Sequence, residues 1–456
     1  MSKVHLLFII LLLSSCSTYI KKIPNSPGHS ITSRIHSSDT YRQARRNESL
    51  TFSLSEKELY FLQKIQKKFI IKPEFLLKRY HFKDDSNVTA YIDETSLYLA
   101  YLALKAQHLE INDGYTRAAK KTIKGIYYLD SLNKLDGYLP RFATLEDDRF
   151  IIGKEPIRTN SYSILFFSYF LAYNAFEDKE MRKSISDHVE LIIKYFLKND
   201  LALVSPEGEE IKYSNLKSNT VLSRKLDALV IFEVANSIIE DESLRQEISK
   251  TLKYFKHKKY MNPKQIMKPA IGSWNLASPS SHWLNMMKLY ILVKATHASQ
   301  PIYKIDSKKT TESLNQAQRH HNYEIMFKKL YNQLKDSENT LFTLLYGDLF
   351  SLSTKELDIV ISDLQNFPLS LNDHEIINSS RGDINLKRFP KITKTKRYTE
   401  NTNPLPIYDR PLVYFEWKRN QHRVDGNFLL KGNVEYAGLD FLIAYALLPI
   451  HKISSK

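Results

Sequence analysis

The chain has 456 residues, 43% of them apolar, and a formal net charge of +16. A single cysteine excludes an intramolecular disulfide framework, a thiolate zinc site and an iron–sulfur cluster. The apolar fraction supports a large core, and helical toroids and barrels reach this length as single units. The charge serves solubility alone, or it attracts an anionic surface: phospholipid headgroups, acidic envelope polymers or acidic glycans.

In chain order, Lys3 gives a short basic start and Leu6 to Leu13 is an unbroken apolar run of eight. That run is too short to span a bilayer, which takes about 20 residues, but it suits the core of a signal peptide. Leu13-Ser14-Ser15-Cys16 then reads as a lipobox, the signal for lipid transfer to the Cys16 sulfur and cleavage before it. An ordinary signal peptidase favours small residues at both the last and third-last positions, and Leu13 does not fit that rule. Residues 1–15 are therefore expected to be a lipoprotein signal peptide, and the protein to sit on the exported side of a bacterial envelope through a lipid anchor at Cys16. Nucleic acid is not an expected partner, because the compartment is wrong and the basic residues are scattered.

Residues 17–55 are rich in Ser, Thr, Asn, Arg and Pro and lack periodicity. They read as a tether with a reach of roughly 35 Å. Lys21 and Lys22 would lie near the membrane, each adding about 1 kcal/mol of attraction to anionic lipid. From Ser55-Glu56-Lys57-Glu58 onward the pattern is helical, with Leu59, Leu62, Ile65 and Phe69 on one face. Further helices are predicted near 94–110, 115–133, 161–177, 179–198, 221–239, 242–257, 283–297, 314–335, 340–350, 354–364 and 436–447. Several carry aromatic faces, such as Phe166, Phe167, Phe170 and Tyr173. Leu201 to Val204 and Ile211 to Tyr213 flank Ser205-Pro206-Glu207-Gly208 and read as a small hairpin. Residues 365–435 are irregular and too long for an idle loop, so they are expected to wrap the body or line a site.

Motifs in this order resemble bacterial six-hairpin proteins related to glycoside hydrolases. Glu94-Thr95-Ser96-Leu97-Tyr98 is similar to their opening inner helix, and Asp136-Gly137-Tyr138-Leu139-Pro140-Arg141 to their post-hairpin segment. Tyr162-Ser163-Ile164-Leu165-Phe166-Phe167 and Asn339-Thr340-Leu341-Phe342 resemble two of their helix starts. Phe367-Pro368-Leu369, Asn378-Ser379-Ser380-Arg381, Asp409-Arg410 and Arg423-Val424-Asp425-Gly426 continue the order. The resemblance covers most of the chain after about residue 85. It implies a mainly α, (α/α)6 toroid, with the minor β hairpin and irregular C-terminal segment added to it. That architecture hosts hydrolases, lyases, epimerases and non-catalytic members, so it does not fix an activity. Where relatives carry Asp-Gln, this chain has Asn160-Ser161, and an asparagine cannot serve as a carboxylate acid or base.

Candidate chemistry stands beside a structural reading at each position. Glu94, with Asp93, could be a catalytic carboxylate or could complement a helix N-terminus. Asp227 suits an ion pair with Arg224 or Lys225. Arg141 and Arg158 could hold a substrate carboxylate or form surface pairs. Tyr162 could act as an acid, or pack. In the Trp274 to Asn285 cluster, His282 could move a proton and Asn285 bind a hydroxyl; Trp274 could stack on a sugar. The alternative is a capped helix with Trp283 in the core. Trp417 and Arg423 are ligand-binding candidates in the irregular region, where loops commonly carry sites. No cofactor and no metal ligand set is expected; HExxH, phosphate-loop and dinucleotide motifs are lacking.

The expectation is thus a signal peptide (1–15), a lipidated tether (16–55) and one toroid (56–456). Two functions stand: a hydrolase or lyase acting on an acidic glycan, or a non-catalytic envelope lipoprotein that binds glycan or protein. Either way the site is expected at a mouth formed by the start of 94–110, by 141–162, by 272–285 and by the region around 410–425.

Overall fold

The computed structural model describes residues 46–72, 75–82, 88–109, 112–212, 214–217, 222–258, 260, 262, 279–298, 311–372, 386–388, 399–401, 404–410, 415–418, 421–422 and 434–448. Twelve α-helices of nine or more residues are described: α1 (Leu54–Lys64), α2 (Ile92–Ala106), α3 (Asp113–Ser131), α4 (Thr159–Ala175), α5 (Lys179–Lys198), α6 (Leu222–Ile238), α7 (Glu242–His257), α8 (Pro279–Ala298), α9 (Thr311–Leu334), α10 (Thr340–Leu349), α11 (Thr354–Gln365) and α12 (Leu439–Leu447). Each falls within a few residues of a segment predicted from apolar spacing. Among the described residues no helix is long and apolar enough to cross a membrane.

The helices alternate in character. Even-numbered α2, α4, α6, α8, α10 and α12 carry apolar side chains on all sides; in α12 every residue from Leu439 to Leu447 is buried. Such helices must be surrounded. Odd-numbered helices bury one stripe, as α7 does with Leu244, Ile248, Leu252 and Phe255. Contacts follow the same division. They pass from α2 to α4, on to α6, α8, α10 and α12, and from α12 back to α2. The odd helices pack against these: α3 on α2, α5 on α4 and α6, α7 on α6, α9 on α8 and α10, α11 on α10 and α12, α1 on α12.

Short strands join the parts, and most were not predicted. β1 (Ile70–Ile71) pairs with β2 (Leu76–Leu77), and β3 (His81–Phe82) pairs with β9 (Val434–Glu435). β4 (Val88–Tyr91), β5 (Phe142–Glu146) and β6 (Arg149–Ile152) form a three-stranded antiparallel sheet, with Tyr91 opposite Phe142 and Ala143 opposite Ile152. Asp147 and Asp148 (φ 45° and 60°) make its tight turn, because aspartate tolerates the left-handed region that a two-residue hairpin needs. β7 (Leu386–Arg388) pairs with β8 (Thr399–Asn401). The hairpin predicted at 201–213 is present as a Val204–Glu210 bridge around Gly208; Tyr213 lies outside the described residues.

One charge of the predicted helix start at 55–58 is buried. Ser53, not Ser55, caps α1 through a capping box with Glu56. That frame turns Lys57 inward, where it is fully buried. Its Nζ donates to Ser49 Oγ (2.7 Å) and to the carbonyls of Gln365 (2.5 Å), Phe367 (2.9 Å) and Leu364 (3.2 Å). The ammonium thus closes the C-terminus of α11, where carbonyls lack helical partners. Burial pushes its pKa down to about 7, against the four oxygens that favour the charged form. Lys57→Met removes a buried donor shared by these oxygens and is expected to cost about 1–3 kcal/mol, read as a lowered urea midpoint. A midpoint within error of the wild type would refute this role.

Candidate functional site

The even helices begin at one end of the molecule, and each neighbouring pair of starts is tied by named bonds or contacts. Gly137 to Arg141 joins α2 to α4: Ile92 N donates to Arg141 O (3.3 Å), while Tyr162 Oη accepts from Leu139 N and donates to Gly137 O (both 3.0 Å). Gly137 sits at φ +78°, where a Cβ would come within 2.7 Å of Leu191 O. Asp227 in α6 accepts from Thr159 (2.9 Å) and Ser163 (2.5 Å) of α4, and from Lys288 of α8 (2.6 Å). The turn Glu416–Lys418 closes the rest. The ring of Phe415, just before it, packs on Trp283 of α8 (4.7 Å between centroids), and Trp417 O accepts from Asn339 Nδ2 at the start of α10 (2.9 Å). Trp417 Nε1 donates to Asp440 O in α12, and Glu416 N to Asp440 Oδ2 (both 2.8 Å).

The richest chemistry lies at the start of α2. Arg79 binds Glu94 through two nitrogens (2.5 and 3.0 Å) and reaches Asp93 (3.5 Å). Its guanidinium lies 4.2 Å over the Tyr91 ring. Tyr80 packs beside Tyr91 (6.3 Å) and Tyr436 (6.0 Å). Burial pushes the Glu94 carboxyl above its usual range, and Arg79 pulls against that shift. Burial likewise raises both tyrosines, again opposed by Arg79. Lys418 feels Arg79, Asp93, Glu94 and Arg141; burial first, then the two arginines, bring its pKa down to about 8 against the two carboxylates. Three cations, two carboxylates and a pair of phenols therefore share one neighbourhood.

Several expectations change here. Glu94 is not an open acid, because Arg79 grips both of its oxygens. Tyr162 is fully buried and latched to the backbone, and burial drives its pKa far up, so it is a brace between helix starts. Trp417 is also fully buried, its ring 6.0 Å from Phe367, so no ring face is left for a ligand. Asp227 pairs with Lys288 rather than with its sequence neighbours. Arg141 pairs with Glu155, and side-chain exposures of 24% and 63% make that pair easy to exchange. Arg158 is exposed at the N-cap of α4. His282 is partly buried in the first turn of α8. Asn285 is buried one turn on, and its Oδ1 has no hydrogen-bond partner among the described residues. Trp274, Arg423 and Cys16 lie outside the described residues.

Arg79, Lys418, Tyr80, Tyr91 and Lys288 were not singled out from the sequence. Arg79 and the tyrosines sit in short strands and turns without periodicity. Lys288 did leave a signal: it is the one charge in the apolar run from Trp283 to Val293. Among the described residues no group of three or more His, Cys, Asp or Glu side chains could hold a metal ion. No family model matches the chain, and no characterised protein matches it.

Two tests follow from the buried charges. Lys288→Met strands Asp227 in the interior and is expected to cost about 3–5 kcal/mol; adding Asp227→Asn should restore much of it, as a double-mutant cycle would report. Additive losses would mean the pair is uncoupled. Asp440 accepts from Glu416 N and Phe441 N, yet burial outweighs those bonds and lifts its pKa to about 6. Unfolded, such a carboxyl titrates near 4. Between those values only the folded chain holds the proton, so the Asp440 contribution is full below about pH 4 and lost as pH rises through about 6. The loss is on the order of 3 kcal/mol. Asp440→Asn should flatten the stability profile across that window, and an unchanged slope would refute the assignment.

Proposed function

We propose that the chain is a lipid-anchored envelope protein whose six helical hairpins form an (α/α)6 toroid, and that the mouth at the helix starts binds an acidic glycan. The carrying observation is the cluster of Arg79, Arg141 and Lys418 with Tyr80 and Tyr91 at the start of α2. Guanidinium groups recognise carboxylates in a planar fork, and phenol rings offer faces for sugar rings. Six helix N-termini at the same end add positive potential, each worth roughly half a charge. The circuit of contacts from α2 through α12 and back supports the toroid reading, and the net charge of +16 supports an acidic ligand.

Hydrolysis has less support than binding. A glycosidase sets two carboxylates across the scissile bond, about 5–9.5 Å apart. Here Asp93 and Glu94 are engaged by Arg79, Asp227 by Lys288, Thr159 and Ser163, and Asp440 by backbone amides. Each has a structural partner to lose before it can turn to a substrate.

A glycan array probed with the purified protein should show binding to uronate-bearing polymers, falling with salt, and none to neutral glucans. Arg141→Ala should weaken that binding about ten- to hundredfold, the worth of a charged hydrogen bond. Equal binding to neutral polymers, or no effect of Arg141→Ala, would refute the acidic-glycan site. Separately, Cys16→Ala should abolish lipid labelling and release the protein from membranes; unchanged labelling would refute the anchor.

A further inference from the structure

We propose that the open edge of the β4–β5–β6 sheet joins two copies of this chain, with β6 pairing antiparallel to β6 of the second copy so that the two sheets become one of six strands. Neither the acidic-glycan site nor the lipid anchor is needed for this pairing.

β6 (Arg149–Ile152) is the outer strand of its sheet. Among the described residues no other backbone pairs with its far side. The direction of the groups on that side follows from the existing ladder. Gly153 N donates to Phe142 O (3.0 Å), and residues along an antiparallel strand turn their backbone groups alternately to one neighbour and the other. Arg149, Ile151 and Gly153 therefore face β5, while the N–H and C=O of Phe150 and Ile152 face the open side. Solvent reaches this edge: Ile151 is 50% exposed, and Asp148, Arg149 and Lys154 are exposed as well. An edge of this kind is a template for another strand.

Two features favour a second copy as that strand. The first is register. A two-fold pairing matches outward groups with outward groups, so Phe150 and Ile152 must meet Phe150 and Ile152. Setting Phe150 opposite Ile152 of the second copy satisfies both residues of both strands with four N–H···O bonds. It also brings Ile151 opposite its own counterpart, at the closer, non-hydrogen-bonded spacing. The long Arg149 side chain then lies against Gly153, which has none. A slip by two residues one way leaves Ile151 opposite Arg149, and the other way opposite Gly153. The second feature is charge. Sheet edges commonly keep copies apart with charged side chains. Here the same register sets Asp148 across from Lys154 at each end of the new ladder, so the flanking charges attract. These matches arise only when the added strand is β6 itself. Four backbone bonds and one isoleucine pair make a small interface, so association is weak and rises with concentration.

The test uses the full-length protein, with sedimentation to read association and oxidation of introduced cysteines to read geometry. The wild type should shift from monomer toward dimer as its concentration rises. Ile151→Lys sets like charges opposite each other and should weaken association at least about tenfold. Ile152→Pro removes an N–H that nothing in a single copy uses, a change that an edge strand tolerates, and should weaken it as much. Both variants should keep the wild-type thermal midpoint; Ile151→Lys, at an exposed position, decides the matter if Ile152→Pro fails to fold. Ile151→Cys should give a dimer linked through position 151, because this spacing brings the two Cβ atoms within reach of a disulfide. Leu59→Cys, of similar exposure (47%), should not cross-link, nor should the wild type with Cys16 alone. A wild type that stays monomeric at every concentration, a dimer indifferent to both Ile151→Lys and Ile152→Pro, or Leu59→Cys cross-linking as fast as Ile151→Cys would each overturn the proposal. So would a cross-link from position 151 that forms in whole envelopes only to a different protein.

Discussion

Six helices wrapped in apolar side chains cannot leave their first-turn amides to bulk water, and the rest of the molecule is arranged around that constraint. The odd helices show the ordinary solution. Ser53 and Ser353 cap α1 and α11 in capping boxes, while Asp178 and Asp241 cap α5 and α7, all on the outside. Of the even helices, α2, α4 and α12 have no such side-chain cap. The Arg141 carbonyl accepts from Ile92 N at the start of α2, Tyr162 of α4 latches to the Gly137–Leu139 backbone, and in α12 the carboxylate of Asp440 accepts from Phe441 N. Polar groups are thereby drawn to one end and desolvated there.

Desolvation gives that end its chemistry. A charge taken from water demands a partner, and each partner brings further groups inward. Asp227 holds Lys288, which reaches Ser223; Asp440 holds the turn that carries Lys418. The same burial that demands these partners also shifts the protons of Glu94, Tyr80 and Lys418 away from their usual ranges. Stability and shifted protonation therefore come from one source, the closing of the fold.

The helices were legible because their spacing is strong. The outer stripe Leu244, Ile248, Leu252, Phe255 can be read directly as one buried face. The even helices were read from the same apolar spacing, although all faces of α4 and α12 are buried. The strands were missed because two- to five-residue pairs such as β1 with β2 carry no period. The segments expected to form a mouth supplied Glu94, Arg141, Tyr162 and Trp417 to the end where the even helices begin. Other members of that end were not foreseen, because Arg79 finds Glu94 across 15 positions, and Lys418 meets α2 from the far end of the chain. Sequence distance hides such pairings. Trp417 misled for the opposite reason: an aromatic in an irregular stretch looks available, yet its indole N–H serves Asp440.

The Lys57 site also has a mechanical reading. Ser49, in the short helical stretch 46–50, donates to Gln365 O and Phe367 O and accepts from Lys57. Chain preceding residue 46 therefore enters the fold through a clasp that gathers α1 and the end of α11 around one ammonium.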